Sequence, residues 1–192
     1  MMTLRLILCF LLLSGCLAEL TVAQTAYIPS PWTKIRVFES NLSDVERLFG
    51  DARNKEARIV QGEIKPNYRR IYDLPNAVAF VTYSQGKCDS AQPLWNVPEW
   101  TVIEVQYSPD EGTEKLKDLL AGMKRYKSKQ AGDVETHTEY YSDELGISVV
   151  YDNEINEVLH ITLYPSEKMK LSYDCDRVRK KVPPLLKNGR KA

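Results

Sequence analysis

Residues 101–123, TVIEVQYSPDEGTEKLKDLLAGM, hold the stretch on which the fold turns. Thr101, Ile103, Val105 and Tyr107 fall on one side of an extended chain and Glu104 and Gln106 on the other, the period-two pattern of a half-buried antiparallel strand. Directly after it, Leu116, Leu119, Leu120 and Met123 recur at i, i+3, i+4 and i+7, the apolar stripe of a helix ending near Gly122. Ser108-Pro109-Asp110-Glu111 offers a capping box with proline at the first helical position, and Gly112 lets the start slip to Thr113. A strand that hands over to a helix in mid-chain is where a pattern begins again.

Upstream, Lys34 to Phe38 alternates charged and apolar residues and predicts a short strand. Asn41 and Asp44 stand as cap and third helical position before Val45, Leu48 and Phe49, with Gly50 as the stop. Tyr68 to Tyr72 and Ala77 to Tyr83 are β-rich runs around Leu74-Pro75-Asn76, a hairpin signal. Downstream, Thr136 to Tyr141, Ile147 to Tyr151 and Glu157 to Tyr164 predict three strands, with turns at Asp143-Glu144-Leu145-Gly146 and Asp152-Asn153. Helix, strand, strand, strand thus occurs twice, about seventy residues apart. The expected fold is α+β: two tandem helix plus three-strand repeats, residues 34–107 and 108–175, forming an antiparallel sheet with the helices on one face. Val45, Leu48, Leu116, Leu119 and Leu120 are expected against Val81, Ile103, Val105, Ile147, Val149 and Ile161 in one shared core.

The chain opens on an apolar run, LRLILCFLLLSGC at 4–16, behind Arg5, too short for a span of about 20 residues. It reads as an export signal. Leu13-Ser14-Gly15-Cys16 resembles a bacterial lipobox, which would make Cys16 a lipidated first residue after a 1–15 signal; the rival cut follows Ala23, making the signal 1–23. Residues 24–33 are a Pro-containing linker. Charged residues are 27% and hydrophobic ones 43%, the balance of a globular protein. Lys plus Arg and Asp plus Glu are both 26, so no overall charge argues for nucleic acid. The charge is uneven: Asp176 to Ala192 carries seven basic residues against one acid, a +6 tail on a body of about −7 when the chain starts at Cys16. After export only Cys88 and Cys175 remain in the folded part, and an oxidising compartment favours their joining.

Asn41 to Gly50, NLSDVERLFG, resembles the short capped helix of the SmpA/OmlA outer-membrane lipoprotein family and of the β-lactamase inhibitor protein fold, with Thr113 to Gly122 as a looser second copy. The chain from Trp32 to Cys175 also resembles a group of exported bacterial proteins that combine such a helix with a cysteine before a W-N-V-P element, here Cys88 and Trp95-Asn96-Val97-Pro98, and a second cysteine near the end. The resemblance implies a fold and a compartment, periplasmic, outer-membrane-anchored or secreted, and brings no activity with it.

The chemistry of catalysis leaves little trace. No G-x-S-x-G elbow, phosphate loop, dinucleotide fingerprint or zinc spacing occurs, so no catalytic residue, metal ligand or cofactor is assigned. His137 and His160 are expected on strands flanking a common neighbour, about 12 Å apart, too far to share one metal. The carboxylates at Asp143, Glu144, Asp152 and Glu154 read as solvated turn residues. Ser84 to Trp100 is an insertion between two strands that holds Cys88, Trp95 and Trp100. Its tryptophans are candidate binding residues, weighed against a satellite core under the loop. The resulting expectation is an envelope-associated binding or assembly module that recognises a protein partner without catalysis. The alternatives are a hydrolytic enzyme of unrecognised type, or an inhibitor of a secreted enzyme. Membrane contact enters through the lipid anchor and the basic tail.

Overall fold

Among the described residues, antiparallel pairing runs through the whole of one sheet. The computed structural model describes residues 34–54, 58–59, 67–88, 95–123 and 125–177. The signal at 1–23, Cys16, the linker at 24–33 and the tail beyond Arg177 lie outside them. Helix α1 (Leu42–Phe49) precedes β1 (Arg58–Ile59), β2 (Asn67–Leu74), β3 (Ala77–Tyr83) and β4 (Val102–Pro109); α2 (Leu116–Gly122) precedes β5 (Lys127–Gln130), β6 (His137–Ser142), β7 (Ile147–Asp152) and β8 (Glu157–Leu163); α3 (Glu167–Tyr173) follows. The sheet has eight strands in the order β1-β2-β3-β4-β8-β7-β6-β5, with the two-residue β1 at one edge and β5 at the other. Each half is a meander, and the two join where β4 meets β8, with Val105 opposite Leu163 and Tyr107 opposite Ile161. Among the described residues no helix is long and apolar enough to cross a membrane.

Local sequence explains the elements that came out as expected. The Asn41 side chain accepts hydrogen bonds from Ser43 and Asp44 N–H while Asp44 answers to the Asn41 N–H, a reciprocal box that satisfies donors at the start of α1. Gly50, at φ 82°, ends the helix. Pro75 and Asn76 close the β2–β3 hairpin, whose ladder ends at Leu74 opposite Ala77.

Three expectations need correction. Lys34 to Phe38 is not a strand: Ser40 takes the Arg36 N–H on its hydroxyl at 2.9 Å and donates its own N–H to the Arg36 carbonyl at 2.8 Å, folding the segment into a turn. The alternation survives there only as burial of Ile35 and Val37. The second helix does not begin at the Ser108 box. β4 continues to Pro109 and Asp110 N–H bonds the Asn76 carbonyl, so that segment belongs to the sheet; α2 starts at Leu116 behind Lys115, which supplies no side-chain cap. Leu48, Leu116 and Leu120 are half-buried, whereas Val45 and Leu119 are buried. In α1 the contact face runs through Val45 and Phe49, four apart, and the Phe49 ring meets Tyr72 at 5.7 Å and Tyr107 at 6.2 Å edge-on. Strand β1, strand β5, KSKQ, and helix α3, capped by Ser166, are elements the sequence reading missed.

The core lies on one face of the sheet. Ala79, Val81, Val105, Tyr107, Val149 and Ile161 are fully buried there, drawn from both halves. Tyr72 and Tyr83 join them with their hydroxyls 2.8 Å apart, each satisfying the other, and burial pushes both phenols up. Helix α1 is tied to β2 by Arg70 and Glu46, 2.6 Å apart. The disulfide Cys88–Cys175, with Cα atoms 5.4 Å apart across a separation of 87 residues, fastens the end of α3 to the 84–100 loop.

Candidate functional site

Strand alternation sends the even-numbered residues of β4, β7 and β8 to the face opposite the core. Gln106 stands opposite Thr162, and Thr162 opposite Ser148, so one row of polar side chains crosses three strands. The next row sets Glu139 opposite Val150 and Val150 opposite His160. Because sheets twist and curl, such a face becomes concave. Here it forms an open hollow of about 510 Å³ lined by Glu104, Gln106, His137, Glu139, Ser148, Val150, His160, Thr162 and Tyr164, with Ala131 and Gly132 of the β5–β6 turn at its rim.

Its electrostatics are those of a polar surface with few free charges. Burial pushes the half-buried Glu104 carboxyl up, opposed by the Arg69 guanidinium, 3.5 Å away, and by a hydrogen bond from Thr82. Burial pushes His160 down, with the charge of His137 acting in the same direction and a backbone hydrogen bond at Leu159 opposing them. An acid inclined to keep its proton and an imidazole inclined to lose it both drift toward the neutral form. Glu139 is paired with Lys129 at 3.1 Å. The Tyr164 hydroxyl donates toward Asp143 and the Ile147 carbonyl, both at 3.4 Å.

Both histidines line this hollow, one on β6 and one on β8 with β7 between them, which is the expected arrangement. Two strand spacings and a two-residue offset put their Cα atoms about 12 Å apart. His137 Nε2 lies 3.1 Å from Asp152 Oδ2. The Asp152 carboxyl is held below its ordinary range first by the Glu154 N–H, then by that of Ile155 and by His137 itself. This pair has the outline of a base with its orienting acid. Ser148, however, is four residues from Asp152 on the same strand, about 13 Å along it, beyond the reach of His137.

The tryptophans are not brought together. The Trp95 ring lies 5.3 Å from Phe38, and its backbone bridges Asp174. Trp100 stacks on Tyr68 at 4.3 Å and 11°, touches Tyr83 at 5.9 Å, and has the Arg70 guanidinium 5.3 Å from its ring centre. Both are half-buried in separate aromatic clusters. Trp100 and Phe38 adopt φ of 62° and 67°, a left-handed conformation that bulky residues rarely occupy. Backbone hydrogen bonds from Trp100 N–H to Ser84 and from Phe38 N–H to Val102 hold them there.

Sequence reasoning named the two histidines but missed Glu104, Gln106, Glu139, Thr162 and Tyr164 as members of one surface. The available signal was the spacing His160, Thr162, Tyr164 beside Glu104, Gln106: polar residues every second position on strands whose other side is apolar.

No family model matches the chain, and no curated protein matches it. Among solved structures it is similar to the crystal structure of a DUF4309 family protein, YjgB, from Bacillus subtilis subsp. subtilis strain 168, at 13% identity and a TM-score of 0.41, over 68% of this chain and 81% of that one.

Proposed function

We propose that this protein is an exported, non-enzymatic binding module of the bacterial cell envelope that receives a polar segment of a protein partner on the open face of its sheet. The observation that carries the reading is the hollow across β4, β8, β7 and β6. Its side chains offer hydrogen-bond donors and acceptors at strand spacing, which suits the amides and hydroxyls of a peptide segment. Its openness argues against catalysis, since a one-sided surface leaves water at every polar group, whereas acid–base chemistry gains most from exclusion of water. The 4–16 signal supports export, with Cys16 as the lipid site or Ala23 as the cut.

We also read residues 34–107 and 108–175 as tandem repeats. The symmetric strand order about the β4–β8 junction supports this, each half running from helix to meander and ending at the centre of the sheet.

The test is purification of partners from envelope extract on immobilised protein. Thr162→Trp, which fills the hollow without touching the core face, is expected to lose the partner retained by the wild type, while Arg47→Ser on α1 keeps it. Equal retention by the Thr162→Trp protein would overturn the reading.

A further inference from the structure

The two edges of the sheet differ. β1 offers two residues, whereas β5 offers Lys127, Ser128, Lys129 and Gln130, all exposed and, among the described residues, paired with β6 alone. The Ala131 N–H bonds the His137 carbonyl at 3.0 Å in the register of that ladder, so Lys127 and Lys129 are the residues that exchange backbone hydrogen bonds with Tyr141 and Glu139. Ser128 and Gln130, one step out of phase, therefore turn their N–H and C=O groups away from β6. They form two donor–acceptor pairs about 7 Å apart, the repeat that a further strand would match.

The side chains along this edge carry charge of one sign. Between Asp118 and Asp133 the sequence holds no acid, and Arg125, Lys127 and Lys129 are exposed. Lys129 pairs with Glu139 of the hollow at 3.1 Å and Lys127 with Asp143 at 3.9 Å, contacts between exposed groups that are worth little. Both ammonium groups also lie over the Tyr141 ring, at 5.8 Å for Lys127 and 5.1 Å for Lys129. On the reverse face Tyr126, 47% exposed, meets Tyr140 edge-on at 5.7 Å. The edge thus presents cations on the side of the hollow and an aromatic ring behind.

We propose that β5 takes up an acidic segment of the protein partner as a ninth strand, with carboxylates beside Lys127 and Lys129 and the alternate, apolar side chains beside Tyr126. In strand addition the main-chain hydrogen bonds supply affinity and the alternating side chains select the partner. A second copy of this chain is the wrong occupant, because β5 laid on β5 sets lysines opposite lysines. The same lysines guard the bare edge against such pairing. The proposal rests on the reading of the hollow for the partner's being a protein, and it extends that site. One row of side chains runs from Val150 through Glu139 to Lys129, and the next from Ser148 through Tyr141 to Lys127, so an added strand lies along the hollow's own margin.

The experiment is an NMR titration of the exported, disulfide-bonded protein, isotope-labelled and carrying Cys16→Ser, with the capped peptide Thr-Glu-Val-Glu-Val-Glu-Thr at up to millimolar concentration. The control peptide has lysine in place of glutamate. The acidic peptide is expected to shift the Ser128 and Gln130 amides, and at nine-tenths occupancy to slow their hydrogen exchange about tenfold, since only the free fraction then exchanges. Ser128→Pro removes an outward donor without touching the β5–β6 ladder and should abolish binding. Lys127→Ser with Lys129→Ser leaves the backbone alone and should weaken binding about fivefold, which decides the matter if the proline disturbs the sheet. Thr162→Trp, in the hollow, should bind the peptide as the wild type does. No protection of Ser128 and Gln130, equal binding of the lysine peptide, or full binding by the double lysine variant overturns the proposal. Loss of the peptide in the Thr162→Trp protein also overturns it, by placing the peptide in the hollow, and leaves the reading of the hollow standing.

Discussion

Gly146 closes the β6–β7 turn at φ 68°, donating its N–H to the Ser142 carbonyl and accepting the Tyr164 N–H on its own carbonyl, each at 2.8 Å. A Cβ at this position would run into the Tyr164 carbonyl oxygen and come 2.8 Å from the Ser166 nitrogen and 3.2 Å from its Cα. All three are backbone atoms of the link between β8 and α3, so no side chain can swing aside. Gly146→Ala therefore carries two costs: about 1–2 kcal/mol for a left-handed residue with a Cβ, and about 1–3 kcal/mol for forcing packed backbones apart. Gly112 supplies the control, since it has φ 70° but nothing within 4 Å of its would-be Cβ. Gly112→Ala should lose only the first cost. Urea unfolding at equal m-values measures both, and the Gly146 variant should be the less stable of the two by at least about 1 kcal/mol. Losses that agree within error would refute the close approach of the β8–α3 link to this turn, and with it the seating of the start of α3 beside Asp143.

The other expectations concern the staple, the hollow and the joined halves. Replacing both Cys88 and Cys175 by serine opens a loop spanning 87 residues, which the chain-entropy model values at about 4–5 kcal/mol; a urea midpoint unaffected by the change would deny the disulfide its part in stability. His160 is held below the ordinary histidine range by burial, so the unfolded chain takes up its proton first as pH falls below about 6.5 and wild-type stability should drop there. His160→Gln should flatten that drop; an identical pH profile would show that the ring titrates alike folded and unfolded. Glu104, raised by burial, acts with the opposite sign: its contribution is lost as pH rises through its folded pKa, so Glu104→Gln should gain relative stability above the ordinary glutamate range. Residues 34–107 expressed alone should show no cooperative transition matching the full chain, because Val105 and Tyr107 would lose Leu163 and Ile161 across the β4–β8 ladder; an equal transition would make the halves independent.

What the sequence disclosed depended on how local the cause was. The α1 cap, the Pro75-Asn76 hairpin and the register-bearing runs of β3 and β7 follow from neighbouring residues, and all appear where their own side chains put them. Lys34 to Phe38 misled because a strand pattern of burial can be met by a turn once Ser40 offers its hydroxyl to the Arg36 N–H. Strand β5 was invisible because Lys127-Ser128-Lys129-Gln130 has no apolar residue; it is a strand only because β6 pairs with it, and its lysines suit an exposed edge. The candidate site was the least legible part. Glu104 and Gln106 could be assigned to the polar side of their strand, but their neighbours Thr162 and Tyr164 are set by the β4–β8 pairing, between residues some sixty apart, which no local rule specifies. His137 and His160 were placed correctly relative to each other because turns fix the β6–β7–β8 meander.

Site-specific photo-crosslinking in intact cells addresses the binding claim most directly. A photoreactive residue at Gln106, in the floor of the hollow, is compared with one at Lys117, on the exposed surface of α2. The account predicts a discrete envelope protein crosslinked from position 106 and absent from position 117, with the adduct lost when Thr162→Trp is added. Adducts from position 117 alone, or an adduct from 106 that survives Thr162→Trp, would contradict recognition through the open face of the sheet.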